Sequence, residues 1–180
     1  MEDEDWSRVV GAIRALREAD ITVDDTPIRS LADLQRTLEA ATNDAYDFVL
    51  VDGLEYLTTG QQNQERGVLL CLCDFARQAS KAVLCTLTLG PEAERRADKR
   101  PLFRDLREWQ GAETFCAKVV FCYRDELYYG PNSVDHGLVE TIVAKSIDGF
   151  SGTAKFRFLE EKGALYSPTS LGPDPTRSPD

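Results

Sequence analysis

Asp52 ends the run Tyr46-Asp47-Phe48-Val49-Leu50-Val51-Asp52-Gly53, and an aliphatic strand that delivers a carboxylate at its C-terminal tip can hold Mg²⁺ against nucleotide phosphates. The loop that would wrap those phosphates does not occur in these 180 residues: there is no Gly-x-x-x-x-Gly-Lys-Ser/Thr, and no glycine is followed by lysine. A second run with chemical potential goes from Arg95 to Arg107, where Arg95, Arg96, Lys99, Arg100, Arg104 and Arg107 face only Asp98 and Asp105. Clustered Lys and Arg suit contacts to a nucleic-acid backbone. The formal charge of the whole chain is -10, however, which argues against a free-standing nucleic-acid binder, because phosphate affinity is mainly electrostatic. Cys71, Cys73, Cys85, Cys116 and Cys122 fall in apolar segments rather than at the loop spacings of a disulfide scaffold, and read as buried free thiols. Cys71 and Cys73 do not make a zinc pair, since residues two apart on a helix point to different faces and His136 is the only histidine.

The elements that must position these residues follow from hydrophobic period. Trp6, Val9, Val10, Ile13 and Leu16 recur at helical steps and predict an amphipathic helix from Trp6 to Glu18. Ile21 to Val23 reads as a short strand, broken at Thr26-Pro27. Ser30 can cap a second helix whose face is Leu31, Leu34, Leu38 and Ala41, closed by Asn43-Asp44. The Asp52 strand comes next, then a loop through Leu57-Thr58-Thr59-Gly60, then a long helix carrying Val68, Leu69, Leu72, Phe75, Ala76 and Ala79 and ending at Ser80-Lys81. Ala82 to Leu87, apolar apart from Thr86, is the pattern of a strand covered on both faces. A short helix from Pro101 to Glu108 and strands at Lys118 to Tyr123, Leu138 to Ala144 and Thr153 to Leu159 complete the order, the last two as an antiparallel pair. Strand, helix and strand in succession predict an α/β fold with a parallel sheet.

With 42% hydrophobic and 29% charged residues, the chain has the composition of an ordinary globular domain. One domain over residues 1–166 is expected, followed by a disordered tail at 167–180 that is rich in Pro, Gly and Ser. No apolar stretch is long enough to span a bilayer and the acidic N-terminus lacks the character of a signal peptide, so a cytoplasmic protein without membrane contact is expected.

The order of several segments is more specific than any one of them. Val23-Asp24-Asp25-Thr26-Pro27, then Phe48 to Leu54, then Leu72-Cys73-Asp74-Phe75-Ala76, then Asp98-Lys99-Arg100-Pro101 with Asp105-Leu106-Arg107-Glu108, then Tyr123-Arg124-Asp125-Glu126 with Tyr128-Tyr129, resemble the C-terminal RecA-like domain of DnaB-type replicative helicases. The resemblance implies an incomplete RecA-like, mostly parallel sheet flanked by helices, with late antiparallel strands. It implies a lineage of ring hexamers that hydrolyse ATP and unwind DNA in replication, with ATP and Mg²⁺ as cofactors. By that resemblance Asp52 is the Walker B carboxylate and meets Mg²⁺ through the nucleotide, and Lys145 is the lysine that reaches phosphates bound by a neighbouring subunit. Arg95, Arg96, Lys99, Arg100, Arg104 and Arg107 then lie in or beside the region facing single-stranded DNA.

The departures from the family pattern fall on chemistry. Its γ-phosphate-sensing Gln and following Arg fall on Thr88 and Pro91, and its arginine finger falls on Ile147. Such fingers contribute roughly 10³ to 10⁵ in rate in related ATPases. The segment carrying the phosphate loop would lie upstream of Met1. These departures predict a chain that is inactive alone, and argue against its binding ATP unaided. Its partners are then helicase subunits, a P-loop-bearing polypeptide that completes the site, or single-stranded DNA. The alternative is a non-catalytic regulatory paralogue that docks on helicase or replication proteins.

Overall fold

The computed structural model describes residues 3–42, 46–57, 64–109 and 111–167. Apolar spacing sets the helices. α1 (Asp3–Glu18) and α2 (Leu31–Thr42) form where the period predicts them. At the start of α2 the Asp33 N–H donates to the Ser30 hydroxyl at 3.1 Å while that hydroxyl donates to the Asp33 carboxylate at 2.7 Å, a reciprocal cap. α3 (Gln64–Ala79) packs Val68, Leu69, Leu72 and Phe75 against Leu34 and Leu38 of α2, and this contact is the centre of the core. α3 ends with Ser80 at φ 53° and the Lys81 N–H returning to the Ala76 carbonyl at 3.0 Å, a cap geometry that favours glycine.

β1 (Phe48–Val51) and β2 (Ala82–Cys85) pair in parallel, Phe48 opposite Ala82 and Leu50 opposite Leu84. Val49, Val51, Val83 and Cys85 lie on the core side, whereas Phe48, Leu50, Ala82 and Leu84 form an exposed outer face. A second sheet is antiparallel, ordered β3 (Lys118–Tyr123), β4 (Leu138–Ser146), β5 (Gly152–Leu159) and β6 (Ala164–Tyr166). Val119, Phe121 and Ile142 bring it onto the same core. Two single-turn helices, α4 (Ala112–Phe115) and α5 (Glu126–Tyr129), precede and follow β3.

The α/β architecture is present, with two parallel strands and four antiparallel ones among the described residues. Ile21 to Val23 is not a strand: both side chains are exposed, and without a neighbouring ladder the backbone stays irregular. β2 stops at Cys85 instead of Leu87, and only one of its faces is covered. Pro101 to Glu108 forms a tight 3₁₀ turn at Phe103–Trp109, interrupted at Arg107 (φ 49°, ψ -113°). The cysteines are free but less buried than expected: Cys71, Cys73, Cys85 and Cys116 are half-buried and Cys122 is exposed. β6 was not foreseen, its three residues being too short to show a period. The Asn43-Asp44 helix stop, Thr58 to Gly60 of the predicted loop, and residues 168–180 of the predicted tail lie outside the described residues.

Candidate functional site

Asp52 follows β1 immediately, at the C-terminal edge of the parallel pair where open α/β sheets place their ligands. Its side chain is exposed, and one oxygen, Oδ1, accepts the Thr86 hydroxyl at 2.5 Å. The same hydroxyl accepts the Gly53 N–H at 2.8 Å, so Thr86 clasps the two strand tips together. Backbone bonds continue the clasp, from Leu54 N–H to the Thr86 carbonyl and from Thr86 N–H to the Val51 carbonyl. Gly53 turns the chain away at φ 75°, a conformation open to glycine at no steric expense. Glu55 joins the cluster by accepting the Thr88 N–H at 3.2 Å. Burial pushes the Glu55 carboxyl up, but hydrogen bonds from Thr88 outweigh it and the group sits below its ordinary value. Thr86 and Glu55 escaped the sequence reading, although a lone hydroxyl closing an apolar run was a legible sign for Thr86.

Lys145 lies on β4 with its ammonium directed into the chain, donating to the carbonyls of Glu113 and, at 2.8 Å, Cys116. Two of its three N–H groups are therefore used at the end of α4. Ile147 lies just past β4, 75% exposed, with its N–H on the Ala117 carbonyl. The turn that follows is tight, Gly149 at φ 75° donating to the Ser146 carbonyl at 3.0 Å.

Most of the basic run is occupied internally. Arg96 forms a fork on the buried Asp105, at 2.5 Å to Oδ1 and 2.8 Å to Oδ2, and also donates to the Arg100 carbonyl at 2.7 Å. That contact holds the Asp105 carboxyl below the usual carboxylate range. Arg100 forks onto the buried Glu140 of β4 at 2.8 and 2.7 Å and stacks over Tyr123 of β3. Lys99 donates to the Glu94 carbonyl at 2.6 Å and faces the Tyr128 ring, and Arg107 pairs with Glu92. Arg95 and Arg104 are exposed, and among the described residues neither side chain forms a hydrogen bond or ion pair. The six basic residues therefore divide into four that fasten the 91–109 segment and two that face outward.

The donor set does not fit Mg²⁺ and ATP unaided. A magnesium ion prefers six oxygen ligands, and among the described residues no group of three or more His, Cys, Asp and Glu side chains converges to hold a metal. Asp52 supplies a single carboxylate, one oxygen of which is already hydrogen-bonded.

Residues 1–166 match the family model for the DnaB-like helicase C terminal domain. The replicative DNA helicase DnaB of Geobacillus stearothermophilus is 29% identical over 165 residues, spanning 88% of this chain and 36% of that protein. The replicative DNA helicase DnaC of Bacillus subtilis is 27% identical over 168 residues, spanning 89% of this chain and 37% of its own length. The chain thus spans little more than a third of the curated relatives it matches. A solved DnaB-like replicative helicase, described with its interactions with primase, superposes with a TM-score of 0.82 at 28% identity, over 93% of this chain and 42% of that one. With the family model covering all but the last residues and the fold agreeing at this level, the chain belongs to the DnaB-like helicase C-terminal domain family.

Proposed function

We propose that this chain is a helicase-lineage domain that does not turn over ATP alone and that acts by docking on helicase subunits or other replication proteins. The observation that carries this reading is Lys145, the expected phosphate contact, held instead by the Glu113 and Cys116 carbonyls, two residues before an uncharged Ile147. A group so engaged must break two hydrogen bonds before it meets a phosphate, and Ile147 offers no charge to a transition state. Internal pairing of Arg96, Lys99, Arg100 and Arg107 favours the same reading, because it removes most of the positive charge that DNA would meet.

The test is binding of a fluorescent ATP analogue with Mg²⁺ by the purified chain, with and without single-stranded DNA, followed by ATP turnover. No binding at millimolar nucleotide and no turnover is the expected result. Micromolar binding or DNA-stimulated turnover would refute the proposal.

A second reading is favoured by Asp52, whose Oδ2 remains outside the Thr86 clasp at the strand tip. Under it a P-loop-bearing partner supplies nucleotide and its Mg²⁺, Asp52 meets the ion, Lys145 is released to a phosphate, and Arg95 and Arg104 touch single-stranded DNA. Turnover that appears only on mixing with such a partner, and is lost in Asp52→Asn, supports it. In that mixture Arg95→Ala and Arg104→Ala weaken DNA affinity and flatten its salt dependence.

A further inference from the structure

Three cysteines converge from three separate elements. Cys73 lies inside α3, Cys85 ends β2, and Cys116 follows α4 directly. Burial comes first in raising the Cys85 and Cys116 thiols, and neighbouring thiols add to it: Cys116 and Cys73 act on Cys85, and Cys73 acts on Cys116. Cys71 does not belong to the group, its charged neighbours being Asp74 and Glu39, and Cys122 is exposed on β3. The closest approach is set by a hydrogen bond, in which the Cys73 thiol donates to the Phe115 carbonyl at 3.4 Å. A carbonyl oxygen sits about 3 Å from the next Cα across a planar trans peptide, so the Cys73 sulfur is within about 6 Å of the Cys116 Cα. From there, rotation about the two Cα–Cβ bonds and a shift of at most about 2 Å bring the sulfurs into bonding range. Among the described residues no group of His, Cys, Asp and Glu side chains is arranged to hold a metal, so thiol–disulfide exchange is the chemistry open to this cluster.

We infer that Cys73 and Cys116 form a reversible disulfide, made by exchange with a small disulfide such as oxidised glutathione, that fastens the end of α4 to α3. Cys73 attacks first: burial raises its thiol, but the Arg77 charge opposes that in part and favours the thiolate. The Cys73 thiolate bonds to one glutathione sulfur and the other leaves as glutathione. The Cys116 thiolate then attacks the Cys73 sulfur of the mixed disulfide and expels the second glutathione. Two protein thiols thereby lose two protons and two electrons, and one oxidised glutathione becomes two reduced ones. Cys85 stays outside the bridge, because burial pushes its thiol up to about 12 and leaves almost no thiolate to react. In a reducing compartment such a bridge is transient and records oxidation. It also bears on Lys145, whose ammonium is held by the carbonyls of Glu113 and Cys116: tying Cys116 to α3 fixes one of the two acceptors. That consequence rests on the reading of Lys145 as a held phosphate contact, whereas the bridge itself does not.

The test is to equilibrate the full chain at pH 8 in glutathione buffers of rising oxidised fraction, quench with acid, alkylate the remaining thiols and map the peptides by mass spectrometry. A peptide pair joining Cys73 to Cys116 is expected, reversed by dithiothreitol, with the exposed Cys122 carrying glutathione. In Cys73→Ser and Cys116→Ser the remaining partner is expected to stop at the glutathione adduct. The bridged chain is expected to melt at least about 4 °C higher than the reduced one, a rise that both serine variants lack. Lys145 is expected to react with an acetylating reagent at least threefold more slowly once the bridge is made. Thiols that stay free or carry only glutathione, a dominant link to Cys85 or Cys122 or between chains, or a Cys73–Cys116 yield no higher in the folded chain than in denaturant would overturn the inference. A bridge that forms while Lys145 reacts at an unchanged rate would overturn the consequence drawn for Lys145. Nucleotide binding by the reduced chain would refute the proposed function and leave the bridge standing, so the two failures are distinct.

Discussion

Replacing Arg96 with alanine is the perturbation whose consequence the structure defines most closely. Asp105 is 2% exposed, and its two oxygens receive both terminal nitrogens of Arg96 and the Leu102 N–H at 2.7 Å. Removing one partner of a buried pair leaves the other charge uncompensated, which costs about 3–5 kcal/mol. The retained Leu102 N–H and water entering the space vacated by the 20% exposed Arg96 side chain place the expected loss at the lower end, about 3 kcal/mol. For a domain of this size that is a fall in Tm of roughly 6–12 °C. Arg96→Lys keeps the charge but not the fork, and is expected to lose about half as much. The pH dependence supplies a second reading. The Asp105 carboxyl is held below the usual carboxylate range, first by the Arg96 hydrogen bonds, so the stabilisation is complete above the ordinary carboxylate value and disappears as pH falls through the lower folded value. The gap between wild type and Arg96→Ala in urea unfolding must therefore be widest near neutral pH and shrink below about pH 4. A fall in Tm under 2 °C, or a gap that widens on acidification, would refute the reasoning and return Arg96 to the pool of cations available to DNA.

Burial pushes the Cys85 thiol up to about 12, whereas Cys122 is exposed. Alkylation at pH 8 followed by mass spectrometry is expected to label Cys122 first and Cys85 last, at rates at least tenfold apart. Ser80→Gly relieves a left-handed residue at the end of α3 and is expected to raise stability by roughly 0.5–1 kcal/mol, measured by chemical denaturation; no gain would mean that the Ser80 conformation is not strained. Thr86→Val removes the hydroxyl shared by Asp52 and the Gly53 N–H, and is expected to lower stability by about 1–2 kcal/mol, with Thr86→Ser restoring most of it.

Elements whose period is internal to them were legible from the residues alone. α1, α2 and α3 follow from three- and four-residue spacing, and β3 from an apolar run bounded by Lys118 and Tyr123. Features that depend on a neighbour were not. Ile21 to Val23 has strand composition but no ladder to join, and the outward face of Ala82 to Cys85 shows that an apolar pattern records what a strand is suited to, not what covers it. The site was legible in the same measure. Asp52 at a strand tip could be read from one segment, but its clasp by Thr86 pairs residues 34 positions apart. The engagement of Lys145 by carbonyls 29 and 32 positions away has no local signature.

The residues that carry the family resemblance and those that would carry its chemistry do different physical jobs here. Asp98-Lys99-Arg100-Pro101 and Asp105-Leu106-Arg107 are among the segments that resemble the family, and the structure uses them in its own architecture. Arg100 fastens this segment to Glu140 on β4, Asp105 receives Arg96, Leu106 is in the core, and Arg107 pairs with Glu92 in a backbone conformation that few residues adopt. Such contacts specify a fold whether or not the fold performs a reaction. By the resemblance, activity would depend on other positions, such as Thr88, Pro91, Lys145 and Ile147, none of which is among the buried core residues. Restoring Thr88→Gln and Ile147→Arg at these exposed positions should therefore leave the unfolding free energy within about 0.5 kcal/mol of wild type, whatever it does to turnover. A larger loss on denaturation would mean that the departures at these two positions were fold-determining after all, and that the separation of architecture from chemistry does not hold in this chain.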